Sequence, residues 1–278
     1  MGDAQSRRSP AGVACRVWHG SLPRNSVFLI EEDVYVTSPE LTLLLQATQL
    51  HQAALCQMLG RYLGTWTPDS HSECGQRTRM PLTSFEQLQS FLQHVGRAHG
   101  KGNLQFAMAY TCEGAASAPE TTLQLALSLP PEVHGLNLSQ PIMNYEIGLS
   151  SHAQKLCQHE RIRIDLCWRD KQFGLEYQGE EHGKTLGEDY ARWFAAREEG
   201  YELWFIAKEQ LASSAQMNHI GREVAKRLGV DTNGKLWPTE SELQELLDIL
   251  NGRSHPNPIS YREMRERRKA LRALKRIH

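Results

Sequence analysis

From Pro141 onward the sequence sets β-type runs against helix-length stretches in an order that few folds can satisfy. PIMNYEIGL (141–149), RIRIDLCW (161–168) and FGLEYQG (173–179) read as strands joined by short links. A helical stretch from about Gly187 to Glu199 follows, then a fourth run, YELWFIA (201–207). The amphipathic stretch ASSAQMNHIGREVAKRLG closes the series at Gly229. Upstream, GAASAPETTLQLALSLP starts as a helix should, with Ser117 as N-cap, Pro119 early and Glu120 three residues after the cap. Three consecutive strands with short links predict an antiparallel meander, and a strand reached through a crossover helix predicts parallel pairing. The expectation is an α/β domain over 113–230, a mixed sheet flanked by helices.

Residues 1–112 read as a mainly helical N-terminal region with short strands. SVFLI (26–30) and VYVTS (34–38) flank the acidic turn EED, and Ser38-Pro39-Glu40 opens one apolar helix running to Leu63. Thr65 to Pro81 reads as a loop, and SFEQLQSFLQHVGRA and NLQFAMAY as two further helices. Residues 231–278 form a helical, basic tail. From Arg253 it carries Arg262, Arg265, Arg267, Arg268, Lys269, Arg272, Lys275 and Arg276 against only Glu263 and Glu266. Such asymmetry fits either a polyanion-facing segment or a solvated terminal helix; on the first reading Arg265, Arg268, Lys269 and Arg272 are the candidate nucleic-acid contacts.

The chain has 278 residues, 40% hydrophobic and 23% charged, with a net charge of −1. A near-neutral chain has no overall steering toward nucleic acid, so any such contact must be local. None of the six cysteines stands in a CxxC pair or beside histidine at zinc-finger spacing, which points to a reduced, cytoplasmic protein. No apolar run approaches the length of a membrane span and the N-terminus lacks a signal-peptide core, so no membrane partner is expected.

Within this frame Asp165 and Glu176 stand out, because an unpaired charge in an apolar strand is costly to bury. Alternation along RIRIDLCW puts Arg163 and Asp165 on one face and Ile162, Ile164 and Leu166 on the other. The same rule places Glu176 with Gln178. If the two strands pair through the turn RDKQ, the carboxylates converge and repel, unless a proton or a divalent cation sits between them. Mg²⁺ accepts such hard oxygen ligands in a partly open shell, and could polarise a phosphodiester and activate a water. A structural alternative stands beside this: Asp165 paired with Arg161 or Arg163, and Glu176 with Lys171 or Arg192.

The elements Arg163-Ile-Asp165, Glu176-Tyr-Gln178-Gly179, His182, Asp189-Tyr-Ala-Arg192 and Gly200-Tyr201-Glu-Leu-Trp-Phe-Ile206 follow one another in an order that resembles the very-short-patch-repair-like endonuclease domains of the PD-(D/E)xK superfamily. The resemblance covers roughly 115–230 and implies a restriction-endonuclease-like fold. It implies Asp165 and Glu176 as Mg²⁺ ligands, the Tyr177 carbonyl as a further oxygen, and Glu120 as a water-mediated ligand. Gln178 occupies the slot that commonly holds lysine; glutamine can orient a water but cannot act as a base. Proton transfer would then fall to His182. Arg163, Asp189 and Arg192 would support the site. Upstream, Val36-Thr-Ser38-Pro39-Glu40-Leu-Thr42-Leu43-Leu44-Leu-Gln-Ala47 is similar to a segment of AbiEi-like antitoxin proteins of toxin–antitoxin systems. Two functions follow as expectations: a Mg²⁺-dependent endonuclease acting on DNA, or a non-catalytic AbiEi-like antitoxin or DNA-binding regulator with a cognate toxin.

Overall fold

The computed structural model of the chain describes residues 18–72, 75–179, 186–231 and 236–274. The meander and the parallel fourth strand are both present. Strands β5 (Ile142–Gly148), β6 (Arg161–Trp168), β7 (Phe173–Gln178) and β8 (Glu202–Ala207), numbered in chain order, form one sheet in the order β5-β6-β7-β8. The first two junctions are antiparallel and β7 pairs with β8 in parallel. The architecture is therefore α/β with a mixed four-stranded sheet, and no described helix is long and apolar enough to cross a membrane.

Two buried clusters lie on the sheet's two faces. On one, α5 (Ala118–Ser128) and α9 (Ser214–Leu228) bring Leu123, Leu125, Met217 and Val224 against Leu166, Phe173, Leu175 and Ile206. Phe173 is fully buried between Trp168, ring centroids 5.6 Å away, and Trp204, 4.9 Å away. On the other face, α6 (Ser151–Cys157) and α7 (Leu186–Glu198) cover Ile147, Ile162, Ile164 and Leu203 with Ala153, Ala195 and Ala196. The sequence reading passed over α6, a two-turn helix that Ser150 caps through the Ala153 N–H.

The segments drawn at 112 and 230 do not coincide with separate cores. Leu59 of α2 (Gln52–Leu63), Leu125 of α5 and Leu247 of α10 (Glu240–Leu250) belong to a single buried cluster. The approach of α2 to α5 is close enough that a Cβ on Gly60 would come within 2.3 Å of the Thr121 methyl. The single helix expected from Glu40 to Leu63 is two helices. α1 (Pro39–Gln46) ends where Asn103 Nδ2 donates to the Ala47 carbonyl, and His51 restarts the chain by accepting the Ala53 N–H on Nδ1. Both pieces keep leucines at helical spacing, so the break is invisible to periodicity and is made by capping. The expected loop after Thr65 contains a short hairpin, β3 (Trp66–Pro68) with β4 (Gln76–Thr78). α3 (Phe85–His94) and α4 (Lys101–Tyr110) lie where expected.

The C-terminal segment is tied to the start of the core. Gln52 Nε2 donates to the Ile259 carbonyl at 2.7 Å, and the Ile259 N–H returns a bond to Gln52 Oε1 at 3.0 Å. Beyond it, α11 (Tyr261–Leu274) docks through Arg268 Nε to the buried Glu132 carboxylate at 2.6 Å and Arg267 Nη1 to the Glu132 carbonyl.

Gly174 in β7 shows how tightly the strands beside the carboxylates are packed: a Cβ there would lie 2.4 Å from Ile164 Cγ2 and 3.0 Å from Leu203 Cδ2. Overpacking of this kind costs about 1–3 kcal/mol. Gly174→Ala is therefore expected to lower the urea midpoint by a corresponding amount with an unchanged m-value, measured by equilibrium denaturation.

Candidate active site

The β6–β7 ladder pairs Trp168 with Phe173, Cys167 with Gly174 and Leu166 with Leu175, and its pairing stops there. At the next position a side chain takes over from the backbone: Asp165 Oδ2 accepts the Tyr177 N–H at 2.8 Å. Asp165 thus stands where the two strands part, with Glu176 on the neighbouring strand. Of the ion pairs considered above, the one between Glu176 and Arg192 is present, while among the described residues Asp165 forms none with Arg161. Arg161 pairs instead with Glu146 at 3.3 Å. Glu176 faces Arg192 of α7, whose Nη2 lies 3.5 Å from Oε2 and also donates to the Arg163 carbonyl at 2.9 Å.

The expected alternation of side chains slips by one at this point. Ile162 and Ile164 pack on the α6–α7 face, but Leu166 and Trp168 pack on the α5–α9 face. Strand β5 slips at the same level, with Met143 on the α5–α9 face and Ile147 on the other. Between the pairs Met143–Leu166 and Tyr145–Ile164 stand Asn144 and Asp165. Asn144 has φ 48°, a left-handed conformation that asparagine tolerates better than other side-chain-bearing residues. Its amide Nδ2 donates to the Gly114 carbonyl at 3.0 Å and to Glu120 Oε2 at 2.6 Å. The sequence reading missed Asn144, yet a signal was there, because asparagine is depleted from strand interiors.

Glu120 is 6% exposed and its oxygens are well supplied. Oε1 accepts the Ser117 hydroxyl at 2.8 Å, while Oε2 accepts the Ala116 N–H at 2.8 Å and the Asn144 amide. Ser117 caps α5 by accepting the Glu120 N–H, and the Glu120 carboxylate, rather than closing a capping box on the Ser117 N–H, ties the start of α5 to Ala116 and to the bend in β5. Glu176 is the contrast. It is 8% exposed, and its Oε1 is buried with no hydrogen-bond partner among the described residues. A buried, orphaned carboxylate oxygen calls for a proton or a cation.

The electrostatics follow from this crowding. Burial first, and the Glu120 carboxylate second, push Asp165 up to about 7, against the opposing pull of the Tyr177 N–H, Arg192 and Arg163. Burial, then the Asp165 carboxylate, push Glu176 well above the usual carboxylate range, with Arg192 opposing. Among the described residues no group of three or more His, Cys, Asp or Glu side chains is placed to hold a metal ion. The donor set is then two carboxylates, and this suits a hard cation that keeps much of its water shell.

Gln178, half-buried at the end of β7, pairs with Ala207 in the parallel ladder. His182 lies outside the described residues, as do the side chains of Asp189 and Arg272. The basic residues of the tail are partly neutralised. Arg268 pairs with Glu132 and Lys269 with Glu266 at 2.9 Å, whereas Arg265 is exposed. Compared with known proteins, the chain matches no protein-family model, no curated protein and no solved structure.

A pH effect on stability follows. An unfolded aspartate titrates near 3.9, so between about pH 4 and pH 7 the folded state binds more protons than the unfolded state and stability falls as pH rises. In chelator, the Tm of the protein should drop from pH 5 to pH 8. Asp165→Asn, which keeps an acceptor for the Tyr177 N–H, should remove about 1–4 kcal/mol of that loss in calorimetry. An identical pH slope in the variant would mean that Asp165 is ionised throughout.

Proposed function

We propose that the protein is a metal-dependent nuclease acting on DNA phosphodiesters, on a restriction-endonuclease-like sheet. The observation that carries this reading is a pair of carboxylates on adjacent strands, both held above their ordinary pKa, one with an orphaned oxygen. Asp165 and Glu176 would hold Mg²⁺, which when bound polarises a phosphodiester oxygen and acidifies water. Arg192 holds Glu176 in place and reduces the repulsion between the two carboxylates. Gln178, next but one to Glu176, can orient a water without accepting its proton. The exposed cations of α11, Arg265 among them, would meet the DNA backbone.

A second reading, a non-catalytic DNA-binding regulator or AbiEi-like antitoxin, is favoured by one specific feature. The cationic residue found against Glu176 is an arginine, anchored to the Arg163 carbonyl, and no lysine stands at position 178. An anchored guanidinium neutralises carboxylates as a permanent structural partner would.

Titration calorimetry with Mg²⁺ and Mn²⁺ on wild type, Asp165→Asn and Glu176→Gln, paired with a supercoiled-plasmid nicking assay, separates the two. The nuclease reading expects nicking that requires the metal, and binding weakened at least about tenfold in either variant. It also expects affinity to rise from pH 6 to pH 8, because the cation must displace protons that the site holds near neutrality. Metal binding without nicking supports the regulator; absence of any metal binding overturns the nuclease.

A further inference from the structure

The α5–α9 face of the β5–β6 pair is covered over only half its length. Met143, Leu166 and Trp168 belong to the cluster beneath α5 and α9, and no residue of either strand joins it beyond them toward Gly148 and Arg161. Tyr145, Ile147, Ile162 and Ile164 point the other way, into the α6–α7 cluster. Alternation therefore turns Glu146, Arg161 and Arg163 onto the uncovered half, and all three are exposed. Asn144 and Asp165 stand at the border between the two halves, so this bare stretch of sheet runs up to the carboxylates.

Its charges are unevenly matched. Glu146 stands opposite Arg163 in the ladder, yet its carboxylate goes to Arg161 at 3.3 Å. Arg163 makes no ion pair and no side-chain hydrogen bond among the described residues, although it lies near enough to Asp165 to act on that carboxylate electrostatically. Its backbone is held in place, because the Arg163 carbonyl accepts Arg192 Nη2 and Arg192 also meets Glu176. A free guanidinium two residues from Asp165, roughly 7 Å along the strand, is thus carried on backbone tied to the site. The Arg161–Glu146 pair is open to water on both sides and contributes little, so an incoming anion can take Arg161 as well. The hairpin of β1 (Val27–Glu31) and β2 (Val34–Thr37), also exposed, is apolar with an acidic turn and offers phosphate nothing.

We propose that the uncovered half of the β5–β6 face is where the DNA strand lies, with Arg163 and then Arg161 holding phosphates that neighbour the one presented to Asp165 and Glu176. The inference rests on the nuclease reading and names the substrate contacts of that same site. A guanidinium fork matches two phosphate oxygens at once, and a free one can do so without first giving up a carboxylate. Two arginines at alternate positions of one extended strand fix the direction in which a polyanion crosses the sheet. The nearer of them also offsets the repulsion between a phosphate and the carboxylates beside it.

Fluorescence anisotropy with a fluorescein-labelled DNA duplex in chelator, over about 50–200 mM NaCl, tests this beside Mg²⁺ calorimetry and plasmid-nicking kinetics. Arg163→Ala is expected to weaken duplex binding about tenfold, equally across sequences, and to lower the slope of log affinity against log salt by about 1. Mg²⁺ should bind this variant at least as tightly as it binds wild type, because a cation near Asp165 has gone. KM for the plasmid should rise by more than kcat falls, and Arg163→Lys should restore the salt slope with part of the affinity. Unchanged duplex affinity and slope in Arg163→Ala overturn the inference and give the DNA to another surface such as α11. Loss of Mg²⁺ binding without loss of duplex binding overturns it too, by making Arg163 a support for the carboxylates. A wild type that binds the duplex but neither binds metal nor nicks sinks the nuclease reading, and the tenfold loss in Arg163→Ala then still supports DNA on this face. A wild type that binds no duplex overturns both.

Discussion

The hydrogen bond from the Tyr177 N–H to Asp165 is the joint on which the rest of the site depends. A part-buried backbone donor between two strands needs an acceptor, and where the ladder stops the Asp165 side chain supplies it. A carboxylate does this well, and doing so keeps a charge at a depth that an aspartate would otherwise avoid. The neighbouring strand then brings Glu176 into the same space, and the anchored guanidinium of Arg192 becomes necessary to make the arrangement tolerable. From one local need for an acceptor follow the crowding and the raised pKa values.

The same joint explains why α5 and β5 are built as they are. Glu120 ends the amino terminus of α5, and through Asn144 it reaches the left-handed residue at which β5 changes face. Helix, bend and strand are thus fastened at one point, opposite Asp165. Glu120 shares a boundary with Asp165 and Glu176 but differs in its surroundings: its oxygens accept three donors, whereas Glu176 Oε1 has no hydrogen-bond partner among the described residues.

Much of this was legible in the sequence. Strand order, the parallel fourth strand, the capped start of α5 and the convergence of Asp165 and Glu176 all follow from periodicity and turn chemistry, which act over a few residues. What was not legible depends on partners distant in sequence. The break between α1 and α2 is made by His51 and by Asn103, 56 positions from the carbonyl that it caps. The slip in alternation needs Asn144 and Asp165 to face one another, which strict period-two counting on either strand alone cannot reveal. The basic tail looked free because its partner, Glu132, stands 136 residues upstream of Arg268.

That distance has its own consequence for how the molecule is made. The reciprocal amide bonds between Gln52 and Ile259 span 207 positions, and both residues are buried. During synthesis at roughly 5–20 residues per second, α2 would leave the ribosome at least about ten seconds before its partner exists. Throughout that interval Gln52 has no Ile259 with which to exchange hydrogen bonds, and the leucines that α10 contributes to the same core are not yet present. The burial of Gln52 is therefore a late event in synthesis, set by a separation of 207 positions.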